Sequence, residues 1–329
     1  MRLLPLATVA AVLAAPGAAL AFDCTKAKTD IEKAICADPA AKAADDAMSA
    51  AYAAAKALLD AEQQKALRDD QRDWVKRRND ICMTYPDQGQ ATPDAECLAR
   101  MATDRAGLLS AAPVFAGPDA PRFAPVILRD VDEAAQLEVS IIRPQVVEPQ
   151  TPAMNQLNGL LAKAAGASET DIGSEEGPYG RIVGYRIGYA SGRFVSVDFD
   201  IYEYTGGAHG MSYNVVVNFL PEAGRALKLD DVIDAKGKAA LIPLCRASVT
   251  AEKHKREVPE ELIADSLGDE ALADGIGDIA NWGFDGDGVR IHYAPYALGS
   301  YAEGGYDCTL SWAALKPLTK ADAPLPFDR

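Results

Sequence analysis

Three histidines, six cysteines and several clustered carboxylates are the residues of this 329-residue chain that could do chemistry. His209 stands in the run Tyr204-Thr205-Gly206-Gly207-Ala208-His209-Gly210, whose three glycines demand an unusual backbone after a strand. An imidazole on such a turn acts as a base only beside a nucleophile and an orienting acid. The chain has no G-x-S-x-G stretch, and His254 and His292 lack ligand-type spacing to His209. His209 therefore reads as a turn, packing or binding histidine, and no catalytic residue is assigned. Cys24, Cys36, Cys82 and Cys97 contain no C-x-x-C pair, which argues against a zinc site. An even count in an exported chain points to disulfides. The expected partition is two bridges among those four, in any of three connectivities, and one between Cys245 and Cys308. Phe284-Asp285-Gly286-Asp287-Gly288 invites a calcium reading, but Val289 and Tyr296 fall where an EF-hand loop needs ligands. It reads as a hairpin turn, and neither a metal nor a cofactor is expected.

The run from 293 to 306 holds four tyrosines, a proline and an acid between glycines. Such a composition is typical of an interface hot spot rather than a core. The bland alternative is a loop that covers the end of a sheet. The candidate partner contacts are Tyr204, His209, Tyr293, Pro295, Tyr296, Tyr301 and Glu303.

The elements that must position these residues fall into two groups. Residues 1–21 carry Arg2, an apolar run and a small-x-small site, the pattern of a cleaved signal peptide. Export to a periplasm or beyond is the expectation, with no membrane span. Residues 22–110 read as a helical module. Thr29 and Glu32 form a capping box for a helix that ends near Cys36. Met48, Tyr52, Ala55 and Leu59 make one helical stripe, and Leu67, Gln71, Trp74, Arg78 and Ile81 another. Asp60 with Gln63 looks like a cap between them, and Thr92-Pro93 is expected to open a third helix. An antiparallel hairpin would bring Cys36 and Cys82 close, so that the bridges clamp its open end. Arg72 and Arg78 would pair with nearby aspartates, and Tyr52 and Trp74 would fill the gap between small residues.

Residues 111–125 read as a proline- and alanine-rich linker, and 126–329 as one α+β domain with a mostly antiparallel sheet. Strands are expected at 137–144, 181–190, 193–204, 213–220, 282–284, 289–293 and 309–312, all in that sheet. Helices are expected at 154–165, 229–233, 236–252 and 260–272. The chain carries a net charge of −15. From 22 to 110 there are 13 Lys and Arg against 16 Asp and Glu, and from 111 to 329 there are 19 against 32. Nucleic acid is thereby an unsuitable partner, and a cationic protein a suitable one.

As a pattern, D-C-x(11)-C, Asp45, Tyr52, Q-R-x-W and R-x(3)-C resemble the LprI-like family of exported lysozyme-inhibitor-type modules, over about residues 22–109. The chain departs from that family in lacking a lipobox, since Asp23 precedes Cys24, and in Ala40-Ala41. The turn Y-x-G-G-A-H-G, the stretch L-K-L-D-D-V-I and the closing D-G-V-R-I-H-Y-A-P-Y-A-L-G-S-Y resemble the RsiV-type exported domain over 126–318. The segment before it is similar to PdaC-like envelope proteins. Both resemblances imply a lysozyme-type target, bound and inhibited by occlusion, with no enzyme activity. They leave as alternatives a peptidoglycan-acting enzyme or accessory protein, with Asp200 or Glu203 near His209, and an envelope stress-sensing module.

Overall fold

The structure, a computed structural model, describes residues 22–85, 90–132, 134–166 and 178–326. The leader expected at 1–21 lies outside the described residues. The described residues fall into two compact units, one within Met1–Ala54 and Arg78–Ala106 and one within Ala55–Arg77 and Gly107–Arg329.

The first unit is built from helix ends held by short-range devices. Helix α1 (Asp30–Ala37) starts at the expected capping box, with Thr29 accepting from the Glu32 N–H and Glu32 from the Thr29 N–H. Helix α2 (Pro39–Leu58) and helix α3 (Ala61–Ile81) follow. The Asp60 side chain accepts from the Gln63 N–H at 2.9 Å, which starts α3. The strands β1 (Met83–Thr84) and β2 (Thr92–Pro93) pair antiparallel. Thr92-Pro93 therefore does not open a helix. Helix α4 (Ala95–Ser110) is capped by Asp94, which accepts from the Cys97 N–H. Cys24 is bonded to Cys36 and Cys82 to Cys97. Each bridge closes a local loop, so neither clamps one hairpin helix to the other as expected. The ends nevertheless meet, because Ile31, Ile35, Cys82, Cys97 and Leu98 share one small core. The Ile81 side chain, expected on the buried stripe, is 64 % exposed.

The second unit carries the sheets. A short strand β3 (Phe115–Ala116) lies within the stretch read as a linker and pairs parallel with β6. The long strands β4 (Arg122–Asp132), β5 (Leu137–Glu148), β6 (Tyr179–Ala190), β7 (Val195–Tyr204) and β8 (Met211–Leu220) run in that order across a seven-stranded sheet, with β9 (Arg225–Ala226) at its end. The pairing is antiparallel except where β5 and β3 meet β6. Helix α5 (Pro152–Ala164) is capped by Thr151 and buries Met154, Leu157 and Leu161. Helices α6 (Leu229–Val232), α7 (Ala235–Lys255), α8 (Glu260–Ser266) and α9 (Asp269–Gly277) follow; α8 and α9 replace the single helix expected at 260–272. Strands β10 (Trp282–Phe284), β11 (Gly288–Tyr293) and β12 (Tyr306–Ser311) form a separate antiparallel sheet rather than closing the first. The Asp285–Gly288 turn joins β10 to β11 as expected of a hairpin. Short helix α10 (Trp312–Leu315) follows β12, and Leu325 beyond it packs into the domain core. Trp282, Phe194, Leu241, Val249 and Ile291 are buried there, and Cys245–Cys308 ties α7 to β12.

Candidate functional site

Two sequence-distant motifs meet in the second unit. The glycine turn after β7 uses positive φ at Gly206 and Gly207, 93° and 94°, which favours glycine. It delivers His209 to the loop that follows β11. The His209 ring stacks on Tyr301 at 3.8 Å between centroids, and Tyr296 lies 5.7 Å from Tyr301. The His209 Nδ1–H donates to the Gly210 carbonyl at 3.0 Å, which leaves Nε2 facing the Tyr296 hydroxyl at 3.5 Å. The Tyr301 hydroxyl also donates to Gly210 O, and Tyr204 donates to Gly207 O. Gly210 is required by packing, since a Cβ there would sit 2.6 Å from the Tyr202 ring. Tyr296 is 59 % exposed and has φ of +73°, a left-handed backbone that is rare for a bulky residue. Such strain persists where the surroundings enforce it and is concentrated at functional sites.

The other candidates on this loop support it from within. Tyr293 is buried and donates to Leu272 O; burial pushes its hydroxyl pKa up. Pro295 is half-buried. Glu303 accepts from the Ser300 N–H and hydroxyl, the Tyr306 hydroxyl and the fully buried Lys253 ammonium, the last at 2.6 Å. Burial alone would raise Glu303; the Lys253 ammonium and the other donors outweigh it and hold the carboxyl at about 2. Lys253 and Arg256 both lie against the Tyr306 ring, at 4.4 and 4.5 Å. Arg256 also donates to the carbonyls of Glu303 and Gly305. Sequence reasoning missed Lys253, although a signal existed. Gly237, Leu241, Cys245, Val249 and Lys253 form one buried stripe of α7, and a lysine ends it.

Beside this patch the polar face of the large sheet opens on a cleft of about 1210 Å³ between the sheet, α7, β11 and β12. Strand alternation builds it, since the residues that flank Phe199 and Ile201 on β7 point away from the core. His292 is buried between two carboxylates, with Nε2 2.7 Å from Asp198 and Nδ1 2.8 Å from Asp307. Burial would lower the imidazole, but these two hydrogen bonds and charges raise it to about 9. Asn214 donates to Asp198 at 3.1 Å and to Asp200 at 2.7 Å. Asp200 is reachable from the cleft yet crowded by protein; desolvation, then the Asp198 charge, raises its carboxyl. Arg186 donates to Asp285 at 3.0 Å. The acid pair thus stands beside His292, not His209. Glu203 is engaged by Arg181, Tyr179 and Tyr213 instead. Neither His292 nor Asp307 was singled out from sequence, because a histidine in an alternating strand carries no spacing signal. No group of three or more His, Cys, Asp or Glu among the described residues is arranged to hold a metal ion.

Arg78 donates to Asp45 at 3.1 Å with both buried, and burial lowers the guanidinium pKa. Arg72 pairs with Asp69 at 2.7 Å. Trp74 is buried, while Tyr52 and Gln71 are half-buried. No helix among the described residues is long and apolar enough to cross a membrane.

Three family models match successive stretches of the chain. Residues 24–109 match lysozyme inhibitor LprI, 132–212 match deacetylase PdaC, and 230–313 match a protein family of unknown function, DUF3298. The chain thus combines an N-terminal LprI-like module with a C-terminal PdaC-like domain. Among solved structures, a DUF3298 family member from Bacteroides fragilis NCTC 9343 is similar at 20 % identity and a TM-score of 0.46, covering 62 % of this chain and 95 % of its own. A DUF3298 family protein from Pseudomonas aeruginosa PAO1 is similar at 15 % identity and 0.46, covering 62 % and 97 %. No curated protein matches the chain.

Proposed function

We propose that this is an exported envelope protein that binds lysozyme-type muramidases and inhibits them by occlusion. The observation that carries this reading is the match of residues 24–109 to the lysozyme inhibitor LprI model. Three disulfides suit an oxidising compartment, periplasmic or secreted. The acid surplus suits a cationic partner, drawn in by long-range attraction. No covalent step is involved.

The contact face in this reading is the patch of Tyr204, His209, Tyr296 and Tyr301, with Tyr293, Pro295 and Glu303 holding its shape. Tyrosines present large rigid area at low entropic cost. The Lys253 and Arg256 anchors keep the loop ordered before binding, so little ordering remains to oppose association. The test is cell-wall hydrolysis by a c-type lysozyme in the presence of the full chain. Saturable slowing is expected, weaker at high salt. Replacing the exposed Tyr296 by alanine should weaken inhibition about tenfold or more, as for a hot-spot tyrosine. The reading fails if the full chain neither slows the enzyme nor binds it by calorimetry at low salt. Full inhibition by the Tyr296→Ala chain would move the contact off this patch.

A further inference from the structure

The polar face of the large sheet is not simply solvated; it forms one wall of the cleft. Its side chains stand in rows set by strand register. Ile182, Tyr202 and Ser212 make one row, Gly184, Asp200 and Asn214 the next, and Arg186 pairs with Asp198 in the third. We propose that this cleft binds a neutral oligosaccharide, with sugar rings laid along Tyr202 and their hydroxyls on Asp200 and Asn214. The proposal is independent of the muramidase reading: its ligand contacts, Tyr202, Asp200 and Asn214, are not the patch residues, although Tyr293, Pro295, Tyr301 and Glu303 also line the cleft.

The chemistry of the wall selects the ligand class. Its charges are already matched to one another. His292 is held by Asp198 and Asp307, Arg186 by Asp285, and Arg256 by Glu252. A charged ligand would gain little from such a lining and would have to break internal pairs. A hydroxyl donates a hydrogen bond without carrying charge, and so fits a fixed array of carboxylate and amide oxygens. Asp200 and Asn214 are directly opposite on neighbouring strands; Asn214 donates its amide hydrogens to Asp198 and Asp200, so the pair offers carboxylate and carbonyl oxygens to two adjacent hydroxyls. Asp200 resists ionisation beside Asp198, and a donor from a neutral ligand relieves that without importing charge. Gly184, opposite Asp200 on β6, leaves the floor there without a side chain. Tyr202 rests one edge of its ring on Gly210 and is 37 % exposed, a platform on which an apolar sugar face can lie.

Size and backbone argue against two other occupants. The volume exceeds the roughly 300–1,000 Å³ of pockets for single small molecules, which favours a chain of several rings. A peptide added as a strand needs a free edge. At the cleft margin, however, the Thr309 N–H and carbonyl of β12 are both engaged by the Ser248 hydroxyl.

The experiment is calorimetric and NMR titration of the full chain with chitotetraose, the tetramer of N-acetylglucosamine, and in parallel with tetralysine. Saturable chitotetraose binding is expected, unchanged when salt is raised about tenfold because no ion pair forms. Tyr202→Ala and Asp200→Ala should each weaken it by about tenfold or more while thermal unfolding stays cooperative. Amide shifts should cluster on β6, β7 and β8. Three results would overturn the proposal. One is no saturation with chitotetraose. Another is binding unaltered in both variants. The third is salt-sensitive tetralysine binding in place of sugar binding. Lysozyme inhibition measured on the same variants keeps the two readings apart, because either can fail while the other stands.

Discussion

Lys253 has no solvent exposure, and its ammonium meets Glu303 and the Tyr306 ring. Such a pair contributes little net stability, yet removing the lysine takes from Glu303 its charged donor. Lys253→Met should cost about 1.5–3 kcal/mol by denaturant unfolding, the worth of one charge-assisted hydrogen bond, because Glu303 keeps its Ser300 and Tyr306 donors, and should loosen the tyrosine loop. His292 makes the opposite pH signature to a buried carboxylate. Its pKa is raised from 6.5 to about 9, so its two ion pairs stabilise the fold fully below 6.5. That contribution fades as pH rises through 9. A melting temperature that drops over this window in the parent chain, and does not in His292→Gln, is the expected result. Identical pH profiles would show that the pairs with Asp198 and Asp307 are not coupled to folding.

At the scale of elements, local signals were legible and distant pairings were not. The Thr29 capping box and the Asp60 cap were readable because each involves residues three apart. The cap of α4 was misplaced from Asp94 to Thr92, since proline after a possible cap also suits an edge strand. β4 went unread altogether: prolines put its start in the stretch read as a linker, and its long antiparallel pairing with β5 compensates for them. The strands β10 to β12 were recognised, but their assignment to a second sheet depends on pairing that periodicity does not encode. In the site, the glycine turn and the tyrosine loop were found separately. Lys253 with Glu303 and His292 with Asp198 are 50 and 94 residues apart, and only the fold joins them. The bridge Cys245–Cys308 spans 63 residues and ties α7 to β12 behind the cleft. By chain entropy it should stabilise by about 4 kcal/mol, against about 3 for the short front loops. Replacing Cys245 and Cys308 together by serine should lower the unfolding midpoint more than removing either front bridge. Equal effects would show that loop length does not govern here.

For the molecule as a whole, most of the negative charge lies after residue 110, with 32 acids against 19 basic residues there. Any cationic partner should thus be attracted chiefly by the part that also holds the aromatic patch and the cleft. The compact units do not follow the proline-rich stretch, because 55–77, the middle of the helical hairpin, belongs with the sheets. Asp70 accepts from the buried Ser140 hydroxyl at 2.7 Å, and Asp73 pairs with Arg129 of β4. A gene cut at residue 110 would therefore sever these anchors while leaving every front disulfide intact. Such a fragment is expected to keep its cores near the cysteines but to show protease cleavage between 55 and 77, where the full chain resists. Anyone assaying the front module alone would be handling a folded base with a frayed tip.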